Sequence, residues 1–329
     1  MSPSAPSPAR LSGILSIVLL LAVLAGCGDS GPERIPERLD TEEPARVQVP
    51  VPGEDQAPTG YRIVFVSDRS GSSALWSVNA EGRLPSLLAD ESENDWGPRR
   101  IPQTGTIVFA TERGGNNLAR VAETGGERSE LGSNPAGDEV PDWSPDGSRR
   151  VYSAERRGNR DIFISDADGG NEVRLTEHPG NDIQPRWSPD GLWIAFVSDR
   201  DGNQEIYLQQ IDGDQSFNVS RNPAREGHPA WAPDGARLLF YSDRDGNPDL
   251  FLSNVEGVGA INLTNHPADE LVGSISPDGE RFAFGSTRDG NWELYVADLD
   301  GSNVVRLTDS PGFDGDPVWV PMAAAGGSP

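Results

Sequence analysis

One short motif recurs along this chain at an almost constant spacing, and this repetition limits the possible folds more than any other feature. The motif ends in arginine and is Ser-Asp-Arg in its commonest form. Its six copies, 44 residues apart except for one interval of 43, end at Arg69, Arg113, Arg156, Arg200, Arg244 and Arg288. A repeat of about 40 to 45 residues with internal turn signals is typical of a β-propeller with one four-stranded blade per repeat. The spacing therefore predicts an all-β fold with six blades.

A second motif, Pro-Asp-Gly preceded by Ser or Ala, lies between the arginine loops at residues 143–147, 187–191, 231–235 and 275–279. Proline at the second position and glycine at the fourth suit a type I turn, which would join the first strand of a blade (strand a) to the second (strand b). Residues 182–220 serve as the type unit. In it we predict strand a at 185–188, strand b at 193–198, strand c at 205–208 and strand d at 217–220.

The two ends of the repeat array complement each other. Residues 61–88 provide strands b, c and d of a blade, but no turn motif precedes them. After the last strand d only one further strand follows, and its Trp319 lies 44 residues after Ile275, in the position of strand a. We therefore predict that the C-terminal strand completes the first blade, giving a closed ring of four-stranded antiparallel blades over residues 61–321. Closure removes the free sheet edges that would otherwise promote aggregation.

The order of motifs within one unit also resembles that of a known family. Trp-Ser-Pro-Asp-Gly, an aromatic strand, Ser-Asp-Arg-Asp-Gly-Asn, Ile-Tyr, Asp-Gly and Leu-Thr follow each other as in the propeller of periplasmic TolB. Related blades resemble the propellers of prolyl oligopeptidases and dipeptidyl peptidases. The resemblance covers 61–321 and implies a six-bladed propeller. We expect residues 1–60 to lack the α/β domain that precedes the TolB propeller. Without a Gly-x-Ser-x-Gly motif we also expect no peptidase catalytic domain and no enzymatic activity.

The N-terminal residues indicate an anchored envelope protein. Residues 11–26 are apolar and end in Leu-Ala-Gly before Cys27, which resembles a bacterial lipobox. We predict a signal peptide at 1–26 and lipidation of Cys27, the only cysteine of the chain. A secretory signal or short anchor with an incidental cysteine is the alternative. The predicted location is the bacterial cell envelope, on the periplasmic or outer-surface side, with the lipid as the only membrane contact.

Two further segments complete the predicted domain organisation. Residues 27–60 are rich in Pro and Glu and show no apolar periodicity, which predicts a disordered tether behind the lipidated cysteine. Residues 322–329 are predicted to form a disordered tail.

The charge balance narrows the classes of partner. The chain has 27 basic residues, none of them lysine, against 52 acidic ones, which gives a formal net charge of −25. Such a surface repels nucleic acid, so we exclude nucleic-acid binding and expect basic partners. The alternative is that the acidity serves only solubility.

Every repeat carries a carboxylate at the same position, just before strand a. These six acids are Asp95, Asp138, Asp182, Glu226, Glu270 and Asp314. Because strand a is expected to be innermost, they would surround one mouth of the central channel, on the same face as the six arginines. One interpretation is an interblade network of arginine–carboxylate pairs. The other is a mouth that binds a cation or basic peptide, assisted by Asp201, Asp245 and Asp289.

The histidines and the Asp-x-Asp-Gly-Asn strings give weaker indications. His228 lies where strand a begins and could face the channel, whereas His178 and His266 precede prolines and fit turns. An EF-hand counted from Asp199 would require Gly at position six and Glu at position twelve, but glutamines stand there. We therefore predict hairpin turns, no metal site and no cofactor.

The function predicted from the sequence is a monomeric, non-enzymatic scaffold that binds an envelope protein or basic peptide through the acidic channel face. The alternative is a small-molecule or carbohydrate binder, or a weak hydrolase, that uses His228 and the carboxylates at the channel mouth. A third possibility is a structural or assembly role without any ligand.

Overall fold

Four-stranded sheets follow one another along the chain in the computed structural model, which describes residues 60–80, 82, 85–89, 94–112, 117–133 and 140–322. The described residues belong to one compact unit, and no helix among them is long and apolar enough to cross a bilayer. The predicted signal peptide, Cys27, residues 28–59 of the tether and residues 323–329 of the tail lie outside the described part.

Twenty-four strands form in the described residues. The strands of the first half are β1 (Tyr61–Ser67), β2 (Ala74–Asn79), β3 (Ser86–Leu87), β4 (Asp95–Ile101), β5 (Thr106–Thr111), β6 (Asn117–Ala122), β7 (Ser129–Ser133), β8 (Asp142–Trp143), β9 (Arg149–Glu155), β10 (Arg160–Asp166), β11 (Val173–Arg174) and β12 (Asp182–Trp187). Those of the second half are β13 (Trp193–Ser198), β14 (Glu205–Gln210), β15 (Ser216–Asn218), β16 (Glu226–Trp231), β17 (Arg237–Ser242), β18 (Asp249–Asn254), β19 (Ile261–Asn262), β20 (Glu270–Ile275), β21 (Arg281–Ser286), β22 (Glu293–Asp298), β23 (Val305–Arg306) and β24 (Asp314–Pro321).

These strands form six antiparallel sheets, which confirms the predicted six-bladed propeller. Blades two to six each use four consecutive strands, β4–β7, β8–β11, β12–β15, β16–β19 and β20–β23. The first blade has the order β24-β1-β2-β3, so the C-terminal strand pairs with the N-terminal one. Tyr61 lies opposite Pro321, and Ser67 lies opposite Asp314. The predicted closure of the ring is therefore confirmed.

Strand a starts earlier than the sequence predicted. In the type unit it runs from Asp182 to Trp187, so the acid is its first residue rather than part of the preceding loop. The equivalent Glu226 donates its backbone N–H to the carbonyl of Gln204 at 2.9 Å, and Asp314 does the same to Trp292. Each acceptor lies just before strand c of the neighbouring blade. This interblade hydrogen bond extends strand a up to the acid, and strand propensity alone gives no indication of it.

The hydrophobic core lies between neighbouring blades. Strand b is buried on both faces, as in β13, where Ile194, Ala195 and Phe196 are 0% exposed. One cluster joins Val197 and Leu208 of the fourth blade to Phe240 of the fifth. Apolar residues therefore occupy consecutive positions of strand b rather than alternate ones, as expected for a strand covered on both sides. This packing fixes each blade against the next and orients the loops above it.

Candidate functional site

The candidate site lies at the end of the propeller where every strand a begins. Strand b ends and strand c begins at this same end, since neighbouring strands are antiparallel. In the fourth blade Asp182 lies opposite Ser198, and Ser198 lies opposite Glu205. We call this end the arginine face, because the loops that carry the arginine motif follow strand b there. The structure thus brings the described acids and arginines of the repeats together on one face.

Arg200 shows how the arginine is used. Its Nη2 atom donates to both carboxylate oxygens of Asp182, at 2.9 and 3.0 Å, and its Nε atom donates to the Ser198 hydroxyl at 2.8 Å. The guanidinium carbon lies 4.6 Å from the ring centre of Tyr207. The side chain of Asp182 is 0% exposed and that of Arg200 is 15% exposed. The motif therefore builds a nearly buried ion pair that also contacts an aromatic ring.

The same arrangement recurs in blades one, five and six. The ion pairs there are Arg69–Asp314 (2.8 Å), Arg244–Glu226 and Arg288–Glu270 (3.1 Å). In each case the arginine Nε donates to the serine two residues earlier in the chain, Ser67, Ser242 or Ser286. The pair in the first blade joins residues 245 positions apart in the sequence, so it also ties the C-terminal strand into the ring.

In blades two and three one member of each predicted pair lies outside the described residues, and the described member has another contact. Asp95 is paired with Arg128, the residue just before strand β7, at 3.0 and 3.2 Å. Arg156 is 46% exposed and pairs with Glu172 at 3.2 Å. The other two predicted members of the ring, Arg113 and Asp138, lie outside the described residues. Sequence reasoning missed Arg128, because it lies outside the arginine motif and no repeat position marks it.

Burial dominates the electrostatics of three of these carboxyls. It raises the pKa of Glu226 and of Asp314, and it raises the pKa of Glu270 to about 7, although an arginine lies beside each of them. Each of the three has one buried oxygen without a hydrogen-bond partner among the described residues. One guanidinium contact therefore does not fully compensate for the lost hydration.

The surface charge of the arginine face comes from a different set of acids. The five described members of the predicted ring are 0% exposed, so they contribute little surface that a partner could touch. The loops around them carry exposed carboxylates in blades four to six and in the connections that follow, which we call the acidic arc. Its members are Asp201, Asp243, Asp245, Asp269, Asp289 and Asp309. Arg221 and Arg225 are the exposed basic residues among them.

Below the acids, strand a bulges toward the channel. Its ladder to strand b skips two residues in the five blades where the strand is long. The first skipped residue has a positive φ in each: Gly97 (60°), Gln184 (55°), His228 (49°), Val272 (50°) and Asp316 (54°). A β-branched residue such as Val272 rarely adopts this left-handed conformation, which costs on the order of 1 to 3 kcal/mol. These five residues and Val140 line the channel. The bulge thus replaces ladder pairing with a ring of inward-facing residues, one per blade.

His228 is held within this ring by the neighbouring blade. Its backbone N–H donates to Gln184 Oε1 at 2.8 Å, and its Nε2 atom lies 3.2 Å from Gln184 Nε2. An amide nitrogen can only donate, so His228 Nε2 accepts and the ring proton resides on Nδ1. Burial, with Arg186 and Arg99 nearby, lowers the pKa of His228 to about 3. The imidazole is therefore neutral at physiological pH.

Two arginines of strand a face the same cavity, which has a volume of about 120 Å³. Arg99 and Arg186 occupy equivalent positions in blades two and four, and the Nη1 atom of each donates at 2.8 Å to the carbonyl of the preceding proline. Asp316 lines the cavity as well, and burial raises its pKa. Sequence reasoning missed both arginines. The sequence contained one signal for them: the side chain at this position of strand a differs between blades, whereas a repeat with a purely structural role would keep it the same.

The other histidines act as turn residues. The Nδ1 atoms of His178 and His266 accept the backbone N–H groups of Gly180 and Ala268, two residues further along. Within the described parts of the chain, no group of three or more His, Cys, Asp and Glu residues has the geometry of a metal site.

Comparison with known proteins gives one family. Residues 118–223 match the family described as TolB beta propeller domain. A protein of Agrobacterium fabrum with no assigned function is 31% identical over 119 residues, which cover 30% of this chain. The chain spans 38% of the length of that relative.

Solved structures extend the likeness over the whole propeller. TolB from Acinetobacter baumannii has a TM-score of 0.70 at 22% identity, covering 79% of this chain and 67% of that one. A candidate TolB from Agrobacterium tumefaciens has a TM-score of 0.62 at 20% identity, covering 81% of this chain and 100% of that one. An oligogalacturonate lyase in complex with manganese has a TM-score of 0.52 at 19% identity, covering 74% and 73%. At these identities the likeness establishes the fold.

Proposed function

We propose that this chain, a six-bladed β-propeller of the TolB type, is a non-enzymatic scaffold that binds a basic protein or peptide at its arginine face in the bacterial cell envelope. The observation that carries the proposal is the acidic arc. Its six carboxylates are exposed on loops that the buried ion pairs beneath them hold in place. The side chain of Asp309 is 92% exposed. Complementary charge across such a surface steers a basic partner and fixes its orientation.

The predicted carboxylate ring supports this surface from below. The loops carry the exposed acids, and five buried acids pair with arginines of the loops or, in blade two, with the arginine just before strand β7: Asp95, Asp182, Glu226, Glu270 and Asp314. We propose that the ring positions the arc, while Asp138 and the exposed acids contribute charge to the mouth. His228 lies deeper, on the channel wall.

A binding role accounts for the chemistry at the channel better than hydrolysis does. A general base works best when its pKa lies near the operating pH. His228, with a pKa of about 3, is too weakly basic to meet that condition, and its Nε2 atom already accepts from Gln184. The fold shared with an oligogalacturonate lyase does not by itself imply that activity.

The envelope location rests on the N-terminal sequence and on the TolB-type fold. We propose that Cys27 is lipidated and that residues 28–60 tether the propeller to the membrane surface. Cys27→Ser should release the chain from the membrane fraction or leave the signal uncleaved. Acyl labelling of the mutant at the level of the native protein would contradict lipidation.

The binding face can be tested by removing negative charges from one face of the propeller at a time. The full chain, immobilised, would be used to capture proteins and peptides from an envelope extract. The triple variant Asp245→Asn, Asp269→Asn, Asp309→Asn removes three charges from the acidic arc. The control variant Asp212→Asn, Asp214→Asn, Glu256→Gln removes three exposed charges on the opposite face, where strand c turns into strand d.

We expect the arc variant to lose a basic partner that the control variant retains. Added salt should weaken capture by the native chain, because screening limits exposed charges to a range of about 8 Å near physiological ionic strength. Equal capture by the two variants would place the binding face elsewhere. Recovery of a glycan or metabolite instead of a basic protein would favour the alternative function.

A further inference from the structure

A second set of buried acids lies at the start of strand c in blades three to six. Asp161, Glu205, Asp249 and Glu293 are at most 4% exposed. After blades four, five and six, the carbonyl of the residue before this acid accepts the N–H of the strand a acid in the next blade, at 2.8 to 2.9 Å. These interfaces between blades therefore each hold two buried carboxyl groups.

Strand d supplies an arginine to some of these acids. Between blades six and one, Arg306 of strand d pairs with Glu293 at 2.8 Å, while Arg69 pairs with Asp314 at 2.8 Å. Arg174 holds the same position in blade three and pairs with the strand c acid there at 2.7 Å. Two buried acids are thus matched by two guanidinium groups, which offsets part of the cost of burying the charges.

The interface between blades five and six has one arginine for its two acids. Its strand d carries Asn262 at the position of Arg306. The amide of Asn262 donates to Asp249 at 2.8 Å, but an amide brings no charge. Arg288 pairs with Glu270 at 3.1 Å, and it is the only arginine paired with either acid in the part of the chain that the structure describes. If both acids were ionised, one of them would lack a cation.

His266 does not supply the second positive charge. Its Nδ1 atom lies 3.8 Å from Glu270 Oε1, but it accepts the backbone N–H of Ala268 at 3.1 Å. A ring nitrogen that accepts a hydrogen bond carries no proton. Two other neighbours are acidic, since Asp245 accepts from the strand d asparagine at 2.9 Å and Asp269 directly precedes Glu270. These neighbours add negative charge around the two buried acids.

The two carboxyl groups contact each other across the interface. Asp249 is a hydrogen-bond partner of Glu270. Glu270 Oε1 accepts the Ser286 hydroxyl at 2.8 Å, whereas Oε2 is buried without an N–H or O–H donor among the described residues. Two ionised carboxylates repel each other, so a hydrogen bond between them requires a proton. Burial and the contact with Asp249 raise the pKa of Glu270 to about 7, although Arg288 opposes this rise.

The interface between blades four and five also lacks the strand d arginine, but its hydrogen bonds differ. There the hydroxyl of Ser220 is a partner of Glu226. In the next blade the equivalent Thr264 donates to Asp249 at 3.1 Å. The hydroxyl thus serves the strand c acid, and Glu270 faces the carboxyl of Asp249.

We propose that Asp249 and Glu270 share one proton and form a proton-dependent latch between blades five and six. With the proton in place, the pair carries one negative charge, and Arg288 balances it. When the proton passes to solvent, the second charge has no cation, and repulsion between the two carboxylates weakens the interface. Asp269 precedes Glu270 and Asp289 follows Arg288, so the latch also holds two members of the acidic arc. It forms without a partner and is independent of the proposed binding role.

Carbon NMR of labelled glutamate carboxyl groups in the full chain follows the proton directly. The signal of Glu270, identified by its loss in Glu270→Gln, should titrate near pH 7. Asn262→Arg copies Arg306 and gives Asp249 its own guanidinium, so it should move this midpoint down by about one pH unit or more. Asn218→Arg, the same change at the interface between blades four and five, is the matched control and should leave the midpoint in place.

Asp249→Asn is the second variant and serves if Asn262→Arg does not fold. It removes the partner acid and should also lower the midpoint of Glu270, whereas burial alone would keep the midpoint where it is in the native chain. A Glu270 midpoint near the ordinary value of 4.5 in the native chain, or a midpoint that neither variant changes, would overturn the shared proton.

Hydrogen exchange measures the hold of the latch on the interface. The backbone N–H of Glu270 donates to Pro248 of the neighbouring blade at 2.8 Å. At about pH 8 this amide should exchange faster in the native chain than in Asn262→Arg, because only the native pair then carries an unmatched charge. At about pH 5 the two chains should exchange equally fast. Equal exchange at both pH values would show that the proton does not control the interface.

Discussion

Replacing Arg200 with alanine should destabilise the propeller by about 3 kcal/mol, because the change leaves the buried carboxylate of Asp182 without its ion-pair partner. Asp182 is 0% exposed and receives two hydrogen bonds from the Arg200 guanidinium. Removing one partner of a fully buried ion pair costs about 3 to 5 kcal/mol. The contact of Arg200 with Tyr207 adds about 0.5 to 1 kcal/mol. Since Arg200 is 15% exposed, water can partly rehydrate the site, and we expect the lower end of this range.

Urea unfolding measures the effect directly. The midpoint should fall while the slope with denaturant stays that of the native chain, since the surface exposed on unfolding hardly changes. Arg157→Ala is the matched control. Arg157 is 74% exposed and lies 3.9 Å from Glu177, which is 78% exposed, so its loss should cost about 0 to 1 kcal/mol.

A double-mutant cycle separates the ion pair from the packing of the arginine. Asp182→Asn removes the buried charge, so Arg200→Ala should cost clearly less in that background than in the native chain. Arg200→Lys should lie between the native chain and Arg200→Ala, because lysine keeps the charge but not the fork that reaches Ser198 and Asp182 together. A stability of Arg200→Ala indistinguishable from that of Arg157→Ala, or no coupling in the cycle, would refute the buried-pair interpretation.

Three further changes test other parts of the structure. Deleting residues 315–329 removes most of β24 from the first blade and should abolish cooperative unfolding or cause aggregation; a melting transition like that of the native chain would contradict ring closure. Burial raises the pKa of Glu270 to about 7 from its ordinary value near 4.5, so the native state binds this proton more tightly than the unfolded chain does. The free energy of unfolding should therefore fall as the pH rises from about 5 to about 7. Glu270→Gln should flatten this dependence in urea midpoints measured at pH 5 and pH 8, and an identical profile in the mutant would show that another group is responsible. Val272→Gly should leave the melting temperature unchanged or higher because it relieves the positive φ of 50°, whereas Val296→Gly, in the core of β22, should lower it strongly; equal losses at the two positions would mean that Val272 is not strained.

The repeat spacing by itself determined the architecture. Turn chemistry and buried strands recur at 44 residues, and the unmatched strand around Trp319 has only one blade left to complete. These signals are local, so the chain displays them directly. The arginine motif likewise predicted ion pairs, since guanidinium and carboxylate recur at fixed positions of every unit.

Tertiary structure alone decided which groups are buried, which partner each takes and which face the channel. Arg128, just before strand β7, pairs with Asp95 although it lies outside the arginine motif. The two-residue bulge in strand a turns Gln184, His228 and Asp316 inward, and a bulge depends on pairing with strand b rather than on local propensity. Arg99 and Arg186 lie 87 residues apart in the chain and line the same cavity only because blades two and four converge on one axis. Such contacts depend on where the ring places each blade, and this is why the sequence gives the repeats but not the channel wall.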